Sequence, residues 1–201
     1  MNFLAHLFLS GKDNDILIGN FIADGIRGKE LDNYPTHIRE GIVLHRKIDT
    51  FTDSHPIVRQ TVQKLRASSG KYAPVVSDVI YDHFLAHNWS QYSSVPLDQF
   101  TQDKYTILKQ NREFVPDRMR IVLSTMIRQD WLLNYAQLSG IAKTLRNMSK
   151  RVNFANNMAT AIKDLEQHYT LFQYEFEAFF PQLQAYVEEE MQKLGAPTLV
   201  K

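Results

Sequence analysis

Residues 35–56 read PTHIREGIVLHRKIDTFTDSHP, and this stretch decides the fold class. Ile38, Ile42, Leu44, Ile48 and Phe51 recur at the three-to-four-residue spacing of a single helix face. Pro35 stands where the first helical residue favours proline, and Thr52-Asp53-Ser54-His55-Pro56 is turn-like and supplies the stop. The same period runs outward in both directions. Upstream, Met1 to Leu9 reads as a first helix. Asp13 to Gly28 reads as a second, with Asp13 or Asn14 as N-cap and Gly28 as the closing residue. Downstream, helices are expected over Ile57–Arg66, Tyr72–Trp89, Leu97–Gln110 and Pro116–Gln129, with a loop over Ser90–Ser94. A further helix spans Trp131–Ser139 and is broken by Gly140. Phe154–Leu194 reads as one long helix that Pro181 kinks or splits. No segment keeps the period-two alternation of a strand. The expectation is an all-α, single-domain helical bundle over residues 1–201.

Composition narrows the function. The 23 basic and 22 acidic residues leave a net charge of +1, so there is no bulk attraction to nucleic acid or to a membrane surface. Cysteine is absent, which excludes disulfides, thiolate-ligated zinc and a cysteine nucleophile. No apolar run approaches the roughly 18 residues of a membrane span. The first nine residues lack the basic start of a signal peptide, so a cytoplasmic location is expected. Charge is nevertheless segregated. Lys104 to Arg151 holds ten basic residues against three acidic ones, and Lys163 to Lys193 holds seven acidic against two basic. Such runs are commonly solvated helix faces; the functional reading of the basic one is a docking surface for an acidic partner.

The chemistry-bearing residues cluster. His45, His55, His83 and His87 share a short stretch with Asp49, Asp53, Asp78 and Asp82. His45, Asp49 and Asp53 recur every four residues, which places them on one side of a helix with β-carbons roughly 6 Å apart, close enough to grip one cation. The plain structural alternative is a surface His/Asp pair, with Asp53 capping the next helix. Asp82 and His83 are adjacent and point about 100° apart, so one can be a ligand while the other supports it or moves protons. Asp24 and His6 each interrupt an apolar run, where a polar group is costly unless paired or bound to metal. An oxygen-rich site with one or two imidazoles suits Mn²⁺, Fe²⁺ or Mg²⁺ better than structural zinc. Such a site would polarise a phosphoryl oxygen and activate water. The phosphate loop, the dinucleotide-binding glycine motif and the nucleophile elbow are all missing from the sequence.

At these residues the chain resembles the acyl carrier protein phosphodiesterases, also called holo-acyl-carrier-protein hydrolases. The resemblance rests on Met1-Asn2-Phe3-Leu4-Ala5-His6, on Ile18-Gly19-Asn20-Phe21-Ile22-Ala23-Asp24 with Arg27-Gly28, and on Gly41 to Asp53. It continues through His55-Pro56, Tyr81-Asp82-His83-Phe84-Leu85-Ala86 with Trp89, and Met126 to Trp131. It implies an all-helical relative of the HD-type phosphohydrolases that cleaves 4′-phosphopantetheine from a serine of holo acyl carrier protein, using a divalent cation, typically Mn²⁺. It places Asp24, His45, Asp49 and Asp82 at the metal, with His83 as ligand or acid/base and His6 and Asp53 as supporting catalytic residues. Asp130 is a further acidic candidate. The HD order is His then Asp, whereas this chain has Asp82 before His83, so the roles do not transfer mechanically.

The acidic carrier gives the basic stretch a partner, with Arg118, Arg120, Arg146 and Arg151 as docking candidates and Arg46 and Lys47 as phosphate contacts. Two rivals remain open at this point. One is an HD-like hydrolase of a small nucleotide or other phosphoester; the other is a non-catalytic helical module that binds the carrier.

Overall fold

A computed structural model of the chain describes residues 1–152 and 154–195. Among the described residues eleven α-helices and several short 3-10 turns occur, with no strand. The helices are α1 (Phe3–Leu9), α2 (Asn14–Ile22), α3 (Thr36–Ser54), α4 (Pro56–Ser69), α5 (Ala73–His87), α6 (Leu97–Gln110), α7 (Asp117–Arg128), α8 (Trp131–Asn134), α9 (Leu138–Arg151), α10 (Ile162–Gln167) and α11 (Tyr169–Lys193). The all-α expectation therefore holds. None of these helices is long and apolar enough to cross a membrane.

Two glycines bring the helices of the site together. A β-carbon on Gly19 would lie 2.0 Å from the Ile38 carbonyl oxygen, and one on Gly41 would lie 2.2 Å from that of Ile16. With no side chain at either position, α2 and α3 touch backbone to backbone, which carries Asn20 against His45. Around this pair lies one hydrophobic core that includes Leu4, Ile18, Phe21, Ile42, Ile48, Phe84, Phe176 and Phe180. Asp13 caps α2 as expected, accepting from the N–H groups of Asp15 and Ile16 at 2.9 and 3.0 Å.

Several boundaries differ from the sequence reading. α2 stops at Ile22, and Ala23–Gly25 tightens into a 3-10 turn that holds Asp24 at the helix end; Gly28 (φ 50°) instead opens a second turn. Gly140 lies inside α9 and breaks nothing. Its missing β-carbon would fall 1.9 Å from the Asn134 carbonyl oxygen, so it permits α9 to cross the end of α8. The long C-terminal segment divides at His168, and α11 continues through Pro181. Burial of Phe172, Phe176, Phe179, Phe180, Leu183, Val187 and Met191 along α11 outweighs the one helical hydrogen bond that proline removes.

Candidate metal centre

Five helices line one cavity of about 430 Å³, and three of them carry most of its polar cluster. α1 contributes His6, α2 contributes Asn20, and α3 contributes His45, Asp49 and Asp53, while Asp24 enters from the turn after α2. His45 and Asp49, four residues apart on α3, meet: Nε2 of His45 lies 3.1 Å from Asp49 Oδ2. Asp24 Oδ1 is 3.3 Å from the same nitrogen. Nε2 of His6 lies 3.1 Å from Asp49 Oδ1. His6, His45 and Asp49 each offer one ligand atom within 4.8 Å of the others, a grouping able to hold a metal ion.

The two imidazoles stack, with centroids 3.9 Å apart and planes inclined by 18°. Their orientation comes from Asn20, which is fully buried. Its side-chain oxygen accepts from Nδ1–H of His6 at 2.8 Å, and its backbone carbonyl accepts from Nδ1–H of His45 at 2.9 Å. The Asn20 amide nitrogen donates to the His6 carbonyl and to Ser10 Oγ, which settles which way the amide points. Both rings thus carry hydrogen on Nδ1 and aim Nε2 into the cavity, the arrangement a histidine ligand needs.

Electrostatics tests the fit to a cation. Burial, aided by the neighbouring His45 charge, pushes His6 down to about 4, so at neutral pH its Nε2 is a bare lone pair facing a carboxylate oxygen. Two acceptors face each other there, a contact that a cation between them makes favourable. Burial would lower His45, but hydrogen bonds to Asp24 and Asp49 overcome it and raise the ring to about 9. Burial would likewise raise Asp49; the hydrogen bond from the protonated His45 holds it well below the usual carboxylate range instead. The His45 hydrogen bond lowers Asp24 in the same way. Burial lifts Asp53, which lines the cavity beside them. The donor set of two imidazole nitrogens and carboxylate oxygens fits a divalent cation.

Other sequence-derived candidates lie elsewhere. Asp82 is fully buried and accepts from the N–H groups of Asn2, Leu4 and Ala5 at 3.2, 2.7 and 3.3 Å, satisfying the amides that open α1. Its position holds His6 in place; it does not line the cavity. His83 points away from the cluster because it is one residue further round α5. Its Nδ1–H donates to the Tyr135 carbonyl at 2.8 Å, and Tyr169 donates to its Nε2 at 3.0 Å. Lys47 lies about 200° round α3 from His45 and pairs with Glu190 on α11. Arg46 is exposed and outside the cavity wall. Arg118 pairs with Glu30 and Arg120 with Asp117, so both positive charges are matched locally. Asp130 adopts a left-handed backbone (φ 45°) at the start of α8 and is not part of the cavity wall. Arg146 is exposed on α9, and Arg151 lies over the Trp131 ring at 5.2 Å.

Two residues of the site receive no role from the sequence: Asn20, and Asp78, which is only counted in the cluster. Asn20 had one available signal, an amide within an apolar helix, where only a dedicated hydrogen-bond role repays burial. Asp78 lines the cavity and accepts from the Met1 amino group at 3.0 Å, a partnership that spans 77 residues of chain and leaves no local pattern.

The family model described as acyl carrier protein phosphodiesterase matches residues 1–183. Curated proteins of that name are similar along most of their length. The one from Photorhabdus laumondii is 33% identical over 191 residues, covering 94% of this chain and 96% of its own. That from Pectobacterium atrosepticum is 35% identical over 184 residues, covering 91% and 95%. That from Escherichia coli O157:H7 is 33% identical over 190 residues, covering 92% and 96%. No solved structure matches, so the likeness to HD-type enzymes gains no support from that side. With a match over residues 1–183 and a third of positions shared with these relatives, the chain belongs to the acyl carrier protein phosphodiesterase family.

Proposed function

We propose that this protein hydrolyses the phosphodiester joining 4′-phosphopantetheine to serine in holo acyl carrier protein, returning the apo carrier and free 4′-phosphopantetheine. The observation that carries the reading is the convergence of His6 Nε2, His45 Nε2 and Asp49 on one open cavity in a chain of this family. Asp24 completes the proposed ligand set. Mn²⁺ is the proposed ion, with Mg²⁺ and Fe²⁺ next, since nitrogen and carboxylate donors are mixed. When bound, a divalent cation supplies Lewis acidity toward a phosphoryl oxygen and toward water.

The chain's own residues do the rest. Asn20 orients both imidazoles, and Asp53, whose carboxyl is lifted by burial, is the group at the cavity wall assigned to proton transfer. Docking is assigned to α9. Its 14 residues include Lys143, Arg146, Lys150 and Arg151 and no acid, and all four basic side chains are exposed. Met148 of the same helix lines the cavity, so an acidic carrier seated on α9 would present its serine at the cluster.

The test is incubation of the purified protein with holo acyl carrier protein and Mn²⁺, with and without chelator, read by intact mass. Metal-dependent loss of the prosthetic group is the expected result. Hydrolysis of nucleotides but not of the carrier would favour a small-molecule phosphohydrolase. Carrier binding that survives chelation, with no release, would favour a non-catalytic module.

A further inference from the structure

A second, much smaller cavity of about 70 Å³ adjoins the metal-centre cavity, and Asn2, Phe3 and Met148 line both. Its remaining walls are Trp131 and Tyr135 on one side and Thr144, Asn147 and Arg151 of α9 on the other. We infer that this slot receives the branched, gem-dimethyl end of the pantetheine arm and selects that arm among phosphodiesters. The inference rests on the substrate proposed above and names the part of it that the chain recognises.

Size is the first argument. At about 70 Å³ against about 430 Å³ for the metal-centre cavity, the slot suits a small branched group better than a ring system. Two methyls on one carbon fill such a space. Position is the second. In the arm, the quaternary carbon that bears these methyls is three bonds from phosphorus, so a phosphodiester held at the cluster delivers them next door.

Chemistry is the third argument. Phe3 and Trp131 form a tilted aromatic pair with centroids 6.4 Å apart, an apolar wall for methyl groups. Thr144 and Asn147, three residues apart on one face of α9, present a hydroxyl and an amide where the arm's own hydroxyl and first amide follow the branched carbon. Arg151 lies over the Trp131 ring and bounds the slot. The walls are held firmly: Tyr135 is almost fully buried and its carbonyl accepts from His83, while Asp82 holds the segment that carries Phe3.

The experiment compares two carriers loaded chemically, one with the native arm and one with an arm that lacks the two methyls. For the unaltered protein with Mn²⁺, kcat/KM is expected to favour the native arm about tenfold, mostly through KM. Asn147→Phe, which fills the slot from a half-buried helix position, is expected to bring that ratio to near one while Mn²⁺ binding by calorimetry stays measurable. Equal rates on the two arms with the unaltered protein would overturn the slot and leave the proposed activity standing. An unchanged ratio in Asn147→Phe would do the same. Release of no prosthetic group from either carrier would overturn both readings.

Discussion

The rings of His6 and His45, 39 residues apart in the chain, lie face to face with centroids 3.9 Å apart and turn the same nitrogen toward Asp49. Neither ring could hold that pose on its own, because stacking alone leaves rotation about the ring normal free. Asn20 removes that freedom by taking Nδ1–H of both.

Replacing Asn20 with leucine should therefore loosen metal binding without touching a ligand. A fall of about 10–100-fold in Mn²⁺ affinity is expected, in the range found when a hydrogen-bond partner behind a ligand is removed. Calorimetric titration measures it, and retained helicity by circular dichroism separates the effect from unfolding.

Asp49 and Asp82 should part company when each is changed to asparagine. Asp49→Asn removes a proposed ligand, and metal-dependent turnover should vanish. Asp82→Asn keeps one acceptor for the α1 amides, so its main cost should be stability, about 1–3 kcal/mol, with Mn²⁺ still bound. Urea unfolding beside metal titration reports both; loss of binding in Asp82→Asn with unchanged stability would place Asp82 at the metal after all.

Proton release gives a test without mutation. His45 titrates at about 9 in the metal-free protein, so at pH 7 it is charged and must lose its proton to bind a cation. Binding should release about one proton, and apparent affinity should climb about tenfold per unit from pH 7 toward 9. The sign for stability follows from the same shift. A ring at 6.5 when unfolded and about 9 when folded stabilises the metal-free fold fully below pH 6.5, and this contribution disappears as pH rises through 9. His6 works in the opposite sense: lowered to about 4, it withdraws stability as pH falls from 6.5 to 4. Calorimetry in buffers of different ionisation enthalpy, and denaturant midpoints across pH, check the two parts.

Gly41→Ala should weaken fold and site together. The added methyl would overlap the Ile16 carbonyl oxygen, forcing α2 and α3 apart. A loss of about 1–3 kcal/mol is expected. Because Asn20 moves with α2, Mn²⁺ affinity should fall in the same variant, whereas a surface control such as Val43→Ala should change neither.

Docking can be mapped by charge reversal. Arg146→Glu with Lys150→Glu should raise KM for the carrier about tenfold and leave bis(p-nitrophenyl) phosphate hydrolysis nearly unaffected. Arg118→Glu with Arg120→Glu should have a small effect, because both arginines are already paired with Glu30 and Asp117.

Much of this is legible in the amino-acid sequence alone. The 3.6-residue period of residues 35–56 settled an all-helical fold, and the spacing of His45, Asp49 and Asp53 put the three on one side of α3, because both are local properties of a helix. His6 and Asp24 stood out as polar residues in apolar company. What spacing could not decide was which face of each helix meets which neighbour. Asp82 and His83 carry suitable chemistry, yet α5 presents Asp82 to the amides of α1 and His83 to Tyr135, and only packing assigns those directions. The same holds for Lys47, turned toward Glu190, and for Arg118 of α7, paired with Glu30 from a distant segment. Asn20 marks the boundary most sharply: its place in an apolar helix is written in the chain, but the two imidazoles it orients come from helices 14 and 25 residues away in sequence, and it is the glycine-to-glycine contact of α2 with α3 that brings it to His45.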